Sequence, residues 1–295
     1  MKVRPRVAVL LATFHPNDFT ILQIESFRKQ TDVDVKIFWG DDGSTDNERN
    51  KIHNLLSDLE YKSFKFENVG ATRNFIQLLK NAPDYDFYAF SDQDDIWLPE
   101  KLITSINCLD GCDQPALCHS NVVILKNDHF ENKKTSCQDH SMKTLLAENC
   151  FQGCTLVFNA RLRELFLSYS TDDIVWHDWW LGWLASCAGA VFTVDESLTI
   201  YRIHEGNSIG LPNKRQKVAR FLRRKNGTTF EQAKLFRDRY IAIIREQPLS
   251  DLNSWIKIYS SSSMFRILSL LIDTKRRSGL LDDLLRRISS IFKIP

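Results

Sequence analysis

Residues 34–46, DVKIFWGDDGSTD, contain the pattern that decides the fold of this chain. The run VKIFW is rich in β-branched and aromatic residues, as in a buried strand, and it stops at Gly40 in a turn of small and acidic residues. Ser44, Thr45 and Asp46 can each cap a helix, and the residues that follow, NERNKIHNLLSDL, predict one. The stretch therefore predicts a strand, a tight turn and a helix in succession.

The same alternation extends outward in both directions. Before this stretch, the continuous apolar run RVAVLLATF predicts a strand buried on both faces, and NDFTILQIESFRKQ has apolar residues at helical spacing. After it, YKSFKFEN predicts a third strand, GATRNFIQLLKNA a helix opened by Gly70, and DYDFYAFSD a fourth strand. Strands that alternate with helices predict an α/β fold with a mostly parallel sheet and helices on both faces.

Polar residues follow the predicted strands at the points where these strands end. They are Thr13 after the first strand, Asp41 and Asp42 after the second, Arg73 beyond the third, and Asp92, Asp94 and Asp95 after the fourth. Sheets of this class bind their ligands at the carboxyl ends of the strands. The sequence therefore predicts that these side chains meet at one edge of the sheet, as a nucleotide and metal site requires.

The stretch FSDQDDIWLPEK, residues 90–101, places three aspartates within four positions. Carboxylates this close raise one another's pKa unless a cation lies between them. Asp92 and Asp94 form a D-x-D pair, which offers hard oxygen ligands to Mg²⁺ or Mn²⁺ and leaves positions open for phosphate oxygens. A chance match or a capping role is the alternative for such a pair.

A second acidic pair follows the predicted second strand. Taken alone, GDDGSTD is typical of a turn and a helix cap. In a nucleotide site, Asp41 would accept a hydrogen bond from the N3–H of a pyrimidine base, while Asp42 would hold the loop or approach the ribose. Both interpretations are open on the sequence alone.

The 295 residues carry a formal net charge of +2, but that charge is unevenly distributed. Residues 1–210 contain 20 Lys and Arg against 30 Asp and Glu, whereas residues 211–295 contain 19 against 7. We expect a catalytic domain over 1–210 and a basic helical C-terminal region over 211–295 that meets an anionic partner. The chain has no zinc-finger spacing or RNA-recognition signature, so we expect a membrane surface rather than nucleic acid.

An apolar stripe at helical spacing lies near the end of the basic region, between Leu280 and Phe292. The basic residues around it are Lys275, Arg276, Arg277, Arg286, Arg287 and Lys293. This pattern is typical of a helix that lies in the plane of an anionic membrane. The alternative is a helix packed on the catalytic body or on a dimer partner.

Nothing in the sequence predicts a signal peptide or a membrane span. The start, MKVRPRVAVLLATF, has no small-residue cleavage site, and the longest uncharged stretch, Trp179 to Val194, is shorter than the roughly 20 apolar residues of a spanning helix. The odd number of cysteines, seven, favours a reduced, cytosolic setting. A zinc site is the alternative to buried thiols, although no C-x-x-C pair supports it. Its candidate ligands are Cys108, Cys112, Cys118, His119, Cys137 and His140.

Four motifs carry a family resemblance, namely VLLATFHP, WGDDGSTD, ENVGATRNF and FSDQDDIWLPEK. In this order and spacing they resemble the nucleotide-binding half of family 2 glycosyltransferases, the inverting enzymes of the GT-A fold. The resemblance covers residues 5–210. The form SDQDDIW, together with HDWW and YRIHEGNSIG, is most similar to bacterial rhamnosyltransferase-like members that assemble surface polysaccharides.

The resemblance implies donor-binding roles for several of the polar residues. Thr13, Asp41 and Arg73 would contact the nucleotide, and Asp92 would face the ribose and the metal. A capping or ion-pair role on its own helix is the alternative for Arg73.

The resemblance also implies a metal site and a catalytic base. Asp94 would be the principal ligand of Mg²⁺ or Mn²⁺, and His204 in YRIHEG a further metal or diphosphate ligand. Asp178 in HDWW would deprotonate the acceptor. The alternatives are a capping or salt-bridged Asp178 in a Trp-rich core, and a His204 that is hydrogen-bonded to backbone.

Together these features predict a metal-dependent inverting glycosyltransferase that acts in the cytoplasm, at the inner face of the cell membrane. It would move a sugar, with dTDP-rhamnose as the favoured donor, to a hydroxyl of a growing, lipid-linked cell-surface glycan. A sugar-phosphate nucleotidyltransferase is an alternative, but ATFHPND lacks the Gly-rich loop that such enzymes carry. A non-catalytic nucleotide-sugar-binding scaffold at the membrane and a polymerising synthase are the others.

Overall fold

The computed structural model describes residues 3–127, 129–133, 138–204 and 226–260. The chain forms two compact units, one of residues 1–138 and 149–205, the other of residues 139–148 and 206–295. The sequence placed a boundary at residue 210, and the structure adds the short segment 139–148 to the second unit. The predicted membrane stripe lies outside the described residues.

Four parallel strands form the first half of the sheet, in the spatial order β3-β2-β1-β4. They are β1 (Arg6–Thr13), β2 (Asp34–Asp41), β3 (Tyr61–Lys65) and β4 (Phe87–Ser91). The central strand β1 is buried along nearly its whole length, which is why it reads as a continuous apolar run. All four strands lie where the sequence predicts them.

The helices of this half follow their strands, and their first residues explain where they begin. They are α1 (Asp18–Arg28), α2 (Asp46–Leu56), α3 (Ala71–Asn81) and α4 (Lys101–Leu109). Thr45 caps α2 in a capping box, in which its hydroxyl accepts from the Glu48 amide and Glu48 accepts from the Thr45 amide. Gly70 precedes α3 with φ of 84°, a conformation that favours glycine.

Five more strands complete a sheet of nine among the described residues, in the order β4-β8-β6-β9-β5 with β7 on β6. These strands are β5 (Ile96–Trp97), β6 (Ala116–Lys126), β7 (His129–Lys133), β8 (Val157–Asn159) and β9 (Ala190–Arg202). The helices in this part are α5 (Met142–Ala147), α6 (Ala160–Leu167) and α7 (His177–Ala188). Only β6 and β9 pair in parallel here, so the sheet is mixed beyond β4.

The second unit contains α5 and two further helices, α8 (Asn226–Tyr240) and α9 (Glu246–Ser260). The Phe230 ring of α8 lies 6.2 Å from the Trp255 ring of α9, and Lys143 of α5 lies 3.7 Å from the buried Asp251 carboxylate of α9. Within the described part of the chain, no helix is both long and apolar enough to span a bilayer.

Candidate active site

Asp41 ends β2 directly opposite Thr13, the last residue of β1. Its carboxylate is fully buried, and its Oδ1 lies 3.4 Å from the Thr13 hydroxyl. The Arg49 guanidinium donates to Oδ2 at 3.0 Å, and the Ser44 amide lies 3.3 Å from the same oxygen. A buried carboxylate needs a paired cation, and Arg49, eight residues later on α2, supplies it. The predicted pair Thr13 and Asp41 is therefore in contact.

Asp42 holds the loop that leads into α3. Its two carboxylate oxygens accept from the backbone amides of Val69 and Gly70, each at 2.7 Å. Nearby, the Asn74 side chain donates to the Gly40 carbonyl at 2.9 Å, and a Cβ at residue 40 would lie 2.0 Å from the Asn74 oxygen. Of the two roles that the sequence allows for Asp42, the structure shows the loop-holding one.

The acidic loop after β4 is tied to the loop after β1 by one side chain. The Gln93 amide accepts from the Phe14 backbone N–H at 2.9 Å and donates to the Phe14 carbonyl at 3.1 Å. Asp95 is fully buried, whereas Asp92 and Asp94 are partly exposed. The first strand and the fourth thus deliver their loops to the same edge of the sheet, as predicted.

The carboxylates of this edge lie close enough to perturb one another. Burial is the main cause that raises the pKa of Asp92 to about 7, and the charges of Asp94 and Asp178 raise it further. Burial likewise raises the pKa of Asp95 well above its ordinary value. A site that disfavours its own negative charge in this way is one that a cation would stabilise.

The donor atoms present fit a hard divalent cation. His204, just beyond β9, places its Nε2 2.8 Å from Oδ2 of Asp94, so the D-x-D loop and the end of β9 meet. Ligand atoms of Asp92, Asp95 and Cys154 lie within 4.8 Å of one another among the described residues. Burial raises the pKa of the Cys154 thiol well above its ordinary value, so it stays protonated and suits Mg²⁺ or Mn²⁺ poorly. The carboxylates and His204 are the better set.

Asp178 lies in the first turn of α7, across the site from the acidic loop. Its Oδ1 accepts from the Trp179 amide at 2.7 Å, and its Oδ2 accepts from the Asn149 side chain at 3.2 Å. Among the described residues it forms no ion pair. Trp179 is buried, while Asp178 is only partly so, and the carboxylate therefore combines an apolar surrounding with access to solvent.

The family model described as "Glycosyl transferase family 2" matches residues 12–149, which include the strand ends and the acidic loop. The dTDP-rhamnosyl transferase RfbG of Shigella flexneri is 32% identical over 220 residues, which cover 68% of this chain and 73% of that protein. The chain belongs to glycosyl transferase family 2. Of the alternatives above, this membership selects the glycosyltransferase over the nucleotidyltransferase.

Solved structures show that this family 2 chain has the GT-A fold. TarS of S. aureus matches with a TM-score of 0.61 and 12% identity over 98% of this chain and 49% of that chain. Its 1–349 fragment in complex with UDP-GlcNAc matches with a TM-score of 0.59 at 14% identity over 98% and 90%. The mannosyltransferase PcManGT from Pyrobaculum calidifontis, in complex with GDP-Man and Mn²⁺, matches with a TM-score of 0.57 at 14% identity over 100% and 82%.

Not every predicted site residue joins the acidic edge of the glycosyltransferase. Arg73 is exposed in the first turn of α3 and forms no hydrogen bond or ion pair within the described ranges. It lines a cavity of about 100 Å³ together with Lys80, Thr171 and Asp172. No contact in the described part of the chain joins Arg73 to Asp41, so its nucleotide role stays a prediction.

The structure adds site residues that the sequence did not reveal. Arg49 neutralises Asp41, Gln93 ties the two loops, and Asn149 contacts Asp178. Arg202, two residues before His204, lies 3.3 Å from the Asp94 carbonyl through its Nε. Helical spacing from a buried aspartate could have indicated Arg49, whereas no local pattern marks Asn149.

The raised pKa of Asp92 gives a stability prediction with a definite sign. A carboxyl whose pKa is about 7 in the folded protein and 3.8 ordinarily stabilises the fold below both values and loses that contribution as the pH rises through 7. We therefore expect Asp92→Asn to raise the thermal midpoint of the metal-free protein more at pH 8 than at pH 5. Differential scanning calorimetry with a chelator measures this, with the exposed Asp110→Asn as matched control. An equal shift at both pH values would contradict the pKa.

Proposed function

We propose that this glycosyltransferase is a metal-dependent, inverting enzyme that moves rhamnose from a nucleotide-diphosphate donor to a hydroxyl of a lipid-linked cell-surface glycan. One observation carries the proposal. The D-x-D carboxylates and Asp178 come from different elements, yet they lie close enough for the charge of Asp178 to raise the pKa of Asp92. A metal-assisted leaving group and a base on opposite sides of one sugar require this proximity.

The donor side of the proposal rests on the strand ends. Asp41 and Thr13 form a buried polar floor at the end of two adjacent strands, where a nucleobase edge can hydrogen-bond. Asp92, Asp94 and His204 would hold Mg²⁺ or Mn²⁺ beside the diphosphate. The cation, when bound, acts as a Lewis acid that neutralises the charge on the leaving diphosphate.

The acceptor side rests on Asp178. Its second oxygen has one hydrogen bond, from Asn149, and a carboxylate oxygen can accept two, which leaves a position for an acceptor hydroxyl. A single carboxylate base supports direct displacement by the acceptor, and a single displacement inverts the anomeric centre. The position of Asp178 therefore supports an inverting reaction.

The choice of rhamnose rests on the relative from Shigella flexneri, which is a dTDP-rhamnosyl transferase. A ligand that binds only the folded state raises its stability in proportion to the logarithm of its concentration over its dissociation constant. We expect dTDP-rhamnose with Mn²⁺ to raise the thermal midpoint more than UDP-GlcNAc, UDP-glucose or GDP-mannose does at equal concentration. Free dTDP is the control for the nucleotide alone. A larger shift with any other sugar nucleotide would contradict the donor assignment.

The proposed place of action is the inner face of the cell membrane, where the basic region 211–295 would bind anionic lipid. The support is its composition, with 19 Lys and Arg against 7 Asp and Glu. Co-sedimentation of the full chain with vesicles, with and without anionic lipid, measures this. Equal binding to neutral vesicles would contradict the electrostatic account.

A further inference from the structure

A short segment before β8 contacts α7 at the position of Asp178. The Asn149 side-chain nitrogen donates to Oδ2 of Asp178 at 3.2 Å, and the Asn149 side-chain oxygen accepts from the Phe151 backbone amide at 2.9 Å. Asn149 therefore bridges its own backbone and the carboxylate. No sequence motif identifies this residue.

The Phe151 amide fixes which way the Asn149 side chain faces. A backbone N–H can only donate, so it requires the oxygen end of the Asn149 amide on its side. The nitrogen end must then face Asp178, and a nitrogen end presents a donor to a carboxylate that can only accept when ionised. The contact thus favours the ionised form of Asp178.

The segment itself is held against α7 at two further points. The Phe151 ring packs on Gly182, where a Cβ would lie 2.0 Å from the ring, so a larger residue does not fit. A Cβ at Gly153 would lie 3.4 Å from Nε2 of His177, the neighbour of Asp178. Asn149 is therefore presented to Asp178 from a fixed support.

We propose that Asn149 is a positioning residue for the base Asp178, an inference that rests on the function proposed above. The Trp179 amide occupies one carboxylate oxygen and Asn149 the other, so together they restrict rotation about the broad terminal torsion of Asp178. The free lone pair of Oδ2 then has one direction in which to receive the proton of the acceptor hydroxyl. Asn149 touches neither substrate and acts only through Asp178.

The test is a double-mutant cycle of Asn149→Ala and Asp178→Asn on the full chain. We expect Asn149→Ala to lower kcat about tenfold or more, because misplacement of a reacting group by about 1 Å can cost a hundredfold, while the KM for the donor changes by less than about twofold. Asn149→Asp keeps the shape but loses the donor, and we expect it to lower kcat at least as far. Asn81→Ala, which removes a comparable amide hydrogen bond of 2.9 Å at the end of α3, is the matched control.

The cycle separates positioning from a structural role. A residue that acts only through Asp178 has no further effect once the base is gone, so Asn149→Ala in the Asp178→Asn background should leave the residual rate unchanged. If Asn149→Ala lowers the rate equally in both backgrounds, or if both Asn149 variants retain wild-type kcat, the proposal is wrong. Thermal midpoints of each variant show whether a loss arises from unfolding.

The same cycle distinguishes failure of this inference from failure of the proposed function. A fully active Asp178→Asn enzyme contradicts the base assignment itself, and Asn149 then has no base to position. An inactive Asp178→Asn enzyme with fully active Asn149 variants contradicts only the role of Asn149.

Discussion

Asp178→Asn is expected to lower transfer to the acceptor by at least about a hundredfold while donor affinity stays within about twofold of wild type. The acceptor hydroxyl has a pKa far above neutrality and must lose its proton as the new bond forms, and asparagine keeps the shape of the side chain without the base. The donor residues Asp41 and Asp94 lie on other elements and are not changed by this substitution. Product formation measures transfer, and isothermal calorimetry measures donor binding.

Two other results would reassign Asp178. A parallel fall of activity and donor affinity would show that the carboxylate is structural, which agrees with its hydrogen bond from the Trp179 amide. Unchanged activity would make it a bystander in the Trp-rich helix. Asp110→Asn, which removes an exposed carboxylate at the end of α4, is the control for loss of one negative charge.

Asp94→Ala is expected to abolish the metal dependence of donor binding without loss of the fold. Asp94 contacts His204 at 2.8 Å and raises the pKa of Asp92, so its carboxylate is central to the acidic cluster. Loss of a direct ligand should weaken Mn²⁺ binding by more than the roughly 10- to 100-fold that loss of a supporting partner costs. Calorimetric titration of the donor with Mn²⁺ and with a chelator compares the two states.

The fold of the Asp94→Ala variant should survive because the substitution removes like-charge repulsion from the metal-free site. We expect its thermal midpoint without metal to match or exceed that of the wild type. Donor binding that keeps the same dependence on Mn²⁺ would show that other ligands hold the cation, of which Asp92 and Asp95 are the nearest carboxylates.

The sequence predicted the first four strands and their order of functional residues because each signal was local. A buried strand flanked by parallel neighbours needs an uninterrupted apolar run, and a cap needs particular side chains within one turn, as Thr45 and Glu48 show. The chemistry at the strand ends followed from the rule that parallel strands deliver their carboxyl ends to one edge. Thr13 and Asp41 are in contact for that reason.

Other parts of the fold had no local signal. The 13-residue strand β9 follows the Trp-rich helix α7 without a clear alternation, and it pairs with β6 through an irregular register between Ser120 and Val122. Its register depends on the partner strand and on the bulge, neither of which can be read from residues 190–202. The position of His204 beside Asp94 is a consequence of this pairing and of the short β5 on the other side of β9.

By itself, the sequence determined the α/β alternation, the caps and the set of polar residues at the strand ends, because these depend on neighbours within a few positions. Only the tertiary structure decided which partner each of those residues has. Asp41 is paired with Arg49, Asp42 is used to hold a backbone loop, and Asp178 receives a hydrogen bond from Asn149, 29 residues away. The physical reason is that the hydrogen bonds and charge pairs of a buried carboxylate are set by whatever the packing brings within about 3 Å, and sequence separation does not limit that distance.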